Sequence, residues 1–151
     1  MGLIKRLNRW GKSLREVAPT LSTSYGDLVD RLTILTIKGQ RLTGTASVQS
    51  FAQGIEIAAA LDDYLFFPIV TLPEYHDLLS TNQKLWDVED DLRALLKTRN
   101  LWTPAERAEF IRLAIDVPRL NEVRSGLKKA VDIKLPSKWT EHKQYTEWLN
   151  D

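Results

Sequence analysis

EYHDLLSTNQKLWDVEDDLRALLKTR, running from Glu74 to Arg99, is the stretch whose reading decides the fold. Leu78, Leu85, Val88, Leu92, Leu95 and Leu96 recur at helical spacing and make one apolar stripe, while Gln83, Asp87, Asp91 and Ala94 fall on the opposite side. This predicts a long amphipathic helix. Between the two sides lies a third face, where Asn82, Trp86, Glu89, Asp90, Arg93 and Lys97 stack along the helix at steps of one, three and four residues. A tryptophan set among Asn, Glu and Arg beside a core stripe reads as a partly buried polar wall. Trp86 and Glu89 are then expected to be shielded from water, with Gln83, Asp87 and Asp91 exposed. The plain alternative is a solvated face whose Glu89 and Arg93 pair at i,i+4, worth only about 0.3–0.5 kcal/mol.

Working outward, the preceding segments are also helical in pattern. Ser22 to Ser24 supply capping residues for a helix from about Tyr25 to Leu42, ended by Thr43 and Gly44. Leu28, Leu32, Leu35 and Leu42 share an arc of roughly 80° on that helix. Asp27, Arg31 and Lys38 lie beside the arc, hemmed by apolar neighbours on both sides. A looser helix over Ala46–Phe66 is expected to turn Phe51, Ile55, Ala58, Leu61 and Leu65 inward, after which Pro68 and Pro73 bracket a short connection. Residues 1–15 hold Lys5, Arg6, Arg9, Lys12 and Arg15 with no acid, a charge of +5 against −4 for the remainder. Leu3, Leu7, Trp10, Leu14 and Val17 give that segment one apolar face, so a basic amphipathic helix over residues 1–18 precedes a bundle domain over residues 19–151.

Downstream, Thr103, Pro104 and Glu106 spell a capping box with proline at the first helical position. That helix is expected to carry Phe110, Ile111, Leu113 and Ala114 inward and to break or kink near Asp116, because Pro118 lacks a backbone donor. The pattern resumes from Arg119 to Ile133 with Leu120, Val123, Leu127, Ala130 and Val131 apolar, and Asn121, Arg124 and Lys128 in a column beside them. A short last helix, Lys138 to Leu149, carries Trp139, Tyr145 and Trp148. No strand periodicity competes. The expected fold is all-α, a single helical bundle of five to six helices with breaks near residues 19, 44, 70, 102 and 136.

Composition narrows the function classes. The chain has 151 residues, 27% of them charged, and no cysteine, which excludes disulfides and thiolate metal sites and fits a cytoplasmic location. No apolar run reaches the length of a bilayer span. His76 and His142 lack metal-ligand spacing, and no nucleophile elbow, Walker loop or dinucleotide fingerprint occurs.

The runs GDLVDRLTILTIKGQRL (residues 26–42), NQKLWDVEDDLR (82–93), LNEVRSGLKKAV (120–131) and EHKQY (141–145) resemble a family of small uncharacterised bacterial and phage proteins, known as a domain of unknown function. The resemblance covers most of the chain from Tyr25 to Tyr145 and leaves out the basic N-terminal segment. It implies the columns already drawn, with Asp30, Glu141, Lys143 and Tyr145 added. The family pattern differs in having Glu at the position of Asp27, Asn-Asp at Asn121 and Glu122, and no proline at Pro118. It assigns no chemistry.

Gathered into one space, Asp27, Arg31, Lys38, Asn82, Trp86, Glu89, Arg93, Asn121, Arg124, Lys128 and Tyr145 would line a pocket for an anionic or nucleotide-like small molecule. Arginine forks would orient it and Trp86 or Tyr145 would stack on its ring. No cofactor is called for in this reading. A second reading has Asp27, Asp30, Glu89 and Asp90 hold Mg²⁺, as helical nucleotide pyrophosphohydrolases do, although the paired carboxylate motifs of those enzymes are incomplete. A third makes the charges a satisfied structural network, or part of a protein-interaction module. Homo-oligomers are a further expected partner, and nucleic acid or a membrane surface would be met only through the basic N-terminal helix.

Overall fold

The structure, a computed structural model, describes residues 23–135, without the side chains of residues 60–68. The basic segment 1–18, the last helix with Trp139, Tyr145 and Trp148, and the inward placement of Leu61 and Leu65 fall outside the described residues. Those described are helical and include no strand. They form α1 (Tyr25–Arg41), α2 (Gly44–Thr71), α3 (Pro73–Lys97), a 3-10 turn (Arg99–Leu101) and α4 (Pro104–Lys134).

Local chemistry sets the ends. The Ser24 hydroxyl accepts from the Asp27 N–H at 3.1 Å and starts α1. Thr103 and Glu106 make both halves of the expected capping box at α4. Between α3 and α4 the Trp102 indole donates to the Leu95 carbonyl at 2.7 Å and its ring lies 4.8 Å from Phe110, which closes the turn.

Contacts along the helices define an up-down-up-down bundle. Gly39 lies against Phe51 and its carbonyl accepts from the Ser47 hydroxyl, near the end of α1 and the start of α2, while Leu32 shares the core cluster with Ile69, so α1 and α2 are antiparallel. Gly26 lies against Lys128 while Asp30 pairs with Arg124, so α1 and α4 are antiparallel too. Val29, Leu32, Ile69, Leu78 and Val131 form the main core cluster, with Tyr25, Leu28, Tyr75 and Leu127 against it. α1 is the central helix. Besides Leu32, Leu35 and Gly39, which share the leucine arc, it buries Gly26, Val29, Asp30, Thr33 and Ile37, so a second covered face lies opposite that arc.

Several expected placements are corrected. α4 runs unbroken through Pro118, merging two expected helices into one. A proline inside a helix costs about 3 kcal/mol, and here the packing of Leu113 before it and Val131 after it holds both halves in line. α2 likewise continues past Pro68 to Thr71, its final turn anchored by the fully buried Ile69. Phe51 and Ile55, expected inward, do border α1, with the Phe51 ring against Gly39, but they are 50% and 70% exposed, because the space between them and Leu32 and Leu35 of α1 is open to solvent. Ile111, Ala114 and Val123 are exposed as well. α1, with 17 residues, spans about 26 Å and α4, with 31, about 46 Å. The α3–α4 hairpin therefore projects beyond α1, and its Leu96, Leu101 and Ile111 meet solvent.

At the opposite end Lys134 of α4 pairs with Glu74 in the first turn of α3 at 2.6 Å. The Glu74 carboxyl is held below its ordinary value of 4.5, first by the hydrogen bond from Lys134 and then by its own backbone N–H, with burial opposing. A depressed carboxyl stabilises the fold above its unfolded pKa and loses that contribution as pH falls through the folded value. The stability gap between the native chain and Glu74→Gln should therefore be largest near neutrality and shrink on acidification below 4.5. Chemical denaturation at several pH values measures it, and a gap independent of pH would count against this pair.

Candidate functional site

Where α1, α3 and α4 meet, an open groove of about 140 Å³ is lined by Ile34 and Ile37 of α1, Asn82, Leu85, Trp86 and Glu89 of α3, and Asn121 and Arg124 of α4. Its floor is apolar and its walls are polar. Five of the residues singled out from the sequence, Asn82, Trp86, Glu89, Asn121 and Arg124, are brought together here from two helices.

Behind the groove lies a buried polar cluster. Arg124 grips Asp30 with two bonds, Nε to Oδ1 at 2.7 Å and Nη2 to Oδ2 at 2.6 Å. The Asn82 amide nitrogen donates to Asp30 Oδ1 at 2.9 Å and to Thr33 Oγ1 at 2.8 Å. Thr33 spends its own hydroxyl proton on the Asp30 carbonyl at 2.7 Å. Both partners of the Asn82 nitrogen are thus acceptors, which fixes the orientation of the amide and turns its Oδ1 away from them. Asn121 Nδ2 donates to the Val117 carbonyl at 3.1 Å. The Arg41 guanidinium lies 5.9 Å from the Trp86 ring centroid and is also bonded to Asp87, within range of a cation–π contact that braces the indole.

The remaining candidates lie elsewhere. Asp27 and Lys128 pair at 2.7 Å nearer the start of α1, with Lys128 buried. Arg31 is exposed and Lys38 half-buried, and neither lines the groove. The strip that carries Asp27, Arg31 and Lys38 is the open side of α1, not a hemmed one, because the helices that cover α1 sit on its two flanks. Glu89 is also a correction: its side chain is 49% exposed, and it pairs with Arg93, itself 60% exposed and bonded to Asp90. α3 has run past the cover of α1 by that point, so this part of its third face is the solvated i,i+4 pair that the plain alternative described. Trp86 is half-buried, Asp87 and Asp91 are exposed, and Gln83 is half-buried. Tyr145 lies outside the described residues.

Asp30 is the residue that the candidate ligand set left out and the structure makes central. It is buried and its side chain joins three helices. The sequence points to Asp30 only through the family resemblance and as a carboxylate of the Mg²⁺ reading, and it does not single out Thr33, Gly26 or Asp132; the Gly26 N–H donates to Asp132 Oδ1 at 2.8 Å. Their common signal was faint, since Gly, Asp and Thr on one side of a helix look like surface. Among the described residues no group of three or more His, Asp or Glu side chains is placed to hold a metal ion. Asp27 and Asp30 are each committed to a cation from α4, whereas Glu89 and Asp90 share Arg93. No described helix is long and apolar enough to cross a membrane. Compared with known proteins, the chain matches no family model, no curated protein and no solved structure.

Proposed function

We propose that this chain is a small helical binding protein that holds a nucleotide-like small molecule in the groove between α1, α3 and α4. The observation that carries the reading is the convergence of Asn82, Trp86, Asn121 and Arg124 on one open, apolar-floored space. A simple anion is the less favoured ligand of the anionic or nucleotide-like pair, because the Arg124 fork already grips Asp30 and Arg93 is bonded to Glu89 and Asp90. The structural reading has support of its own in the buried Asp30–Arg124 pair, and the two are compatible: the pair sets the spacing of α1 and α4, and that spacing opens the groove.

A thermal-shift screen of nucleotides and nucleotide sugars, with and without Mg²⁺, tests this. A ligand at a hundred times its Kd should stabilise the fold by about 2.7 kcal/mol. Asn121→Ala, a half-buried wall position, should remove the shift and leave the melting temperature of the unliganded chain nearly unchanged. A shift that appears only with Mg²⁺ would favour the pyrophosphohydrolase reading. No shift with any compound would leave the structural or protein-interaction module.

A further inference from the structure

Resting on that groove reading and narrowing it, we infer that the groove takes the ring end of its ligand, an amino-bearing nitrogen heterocycle such as a nucleobase, and leaves any phosphate outside. The donors and acceptors of the lining decide this. Asn82 spends both amide protons on Asp30 and Thr33, so its carbonyl oxygen is what it has to offer. Glu89 uses Oε2 on Arg93 and keeps Oε1, and Asn121 uses one amide proton on Val117 and keeps Oδ1 and the other proton. Among the described residues these walls present three acceptor oxygens, and as donors one Asn121 amide proton, the Trp86 indole N–H and the Arg124 guanidinium N–H groups beyond the two that hold Asp30, a mixed lining and not a purely cationic one. The guanidinium charge of Arg124 is balanced by the two-bond contact with Asp30.

A phosphate carries acceptors only, and would set its oxygens against these three, one of them on the Glu89 carboxylate, with no uncompensated cation in return. A nitrogen heterocycle with an exocyclic amine carries both kinds of group. It donates to the acceptors while its faces lie against Ile34, Ile37, Leu85 and Trp86. Size agrees: about 140 Å³ is well under the roughly 300–1,000 Å³ of a pocket for a drug-sized ligand, so one ring system fits and a whole nucleotide does not.

Isothermal titration of the full chain with adenosine, cytidine, their 5′-monophosphates, putrescine and inorganic pyrophosphate provides the test. Adenosine or cytidine should bind, the added phosphate should change the affinity by less than about threefold, and pyrophosphate and putrescine should give no saturable heat. Trp86→Leu should weaken the nucleoside by about tenfold or more if stacking contributes as it does at other aromatic platforms, with helical content by circular dichroism unchanged. Pyrophosphate binding as tightly as the nucleotides, in a manner lost with Asn121→Ala, would overturn the ring-inward orientation while the groove reading stood. Putrescine binding without the nucleosides would overturn the heterocycle. Silence from every compound would remove the groove reading itself, and this inference with it.

Discussion

Asp30→Ala is expected to lower the unfolding free energy by about 3–5 kcal/mol, the range for breaking a buried ion pair from one side. Asp30 is a buried carboxylate that satisfies both bonds of the Arg124 fork and one of the two bonds of the Asn82 amide. Removing it leaves a guanidinium that is largely shielded, with a side chain 28% exposed, facing a vacated space. The loss is a fifth or more of the stability of a typical domain, about 5–15 kcal/mol. Asp30→Asn, which keeps the volume and one acceptor, should cost distinctly less. Arg93→Ala supplies the contrast: its two carboxylate partners are on its own helix and half-exposed, so the change should stay within about 1 kcal/mol. Urea unfolding reads all three as midpoint shifts at constant slope. Should Asp30→Ala prove no worse than Arg93→Ala, the Asp30–Arg124 pair would not be what sets α1 against α4.

Gly26→Ala is the second large effect, and it runs against propensity. Within a helix, alanine is normally better than glycine by up to about 1 kcal/mol. Here a Cβ built on Gly26 would stand 2.4 Å from the Lys128 carbonyl oxygen and 2.9 Å from its carbon, both backbone atoms of α4 that cannot rotate away. The helices must move apart, which strains the neighbouring Asp27–Lys128 bridge and the Gly26–Asp132 bond. Overpacking of this kind costs about 1–3 kcal/mol and occasionally more, so a net loss is expected despite the better helix former. Gly39→Ala is the control. Its Cβ would meet the Phe51 ring at 2.7 Å, but that ring is half-exposed and free to swing, so the loss should be small. A melting temperature for Gly26→Ala at or above that of the native chain would show that α1 and α4 do not approach as described.

The contrast between these two glycines marks what the one-dimensional pattern can and cannot carry. Both are buried in one helix, and the tertiary partner, a fixed backbone or a loose ring, separates them. The same holds for the candidate site. Asn82, Trp86, Asn121 and Arg124 were legible because polar residues at helical spacing beside an apolar stripe mark a boundary face. Asp30 was legible as a carboxylate but not as the partner of Arg124, because nothing in its own helix announces that an arginine 94 residues away would need it.

By itself the sequence determined the all-helical class, the capped start of α4 at Thr103 and the ends of α1 near Ser24 and Leu42, since spacing and capping are local physics. Tertiary structure alone decided that α1 is covered on two flanks, that Phe51 and Ile55 of α2 stay open to solvent where they border α1, that α4 passes through Pro118 and that Glu89 is in water. Each depends on which helix lies alongside and how far it reaches: a wheel shows which residues share a face, while coverage is a property of the neighbour.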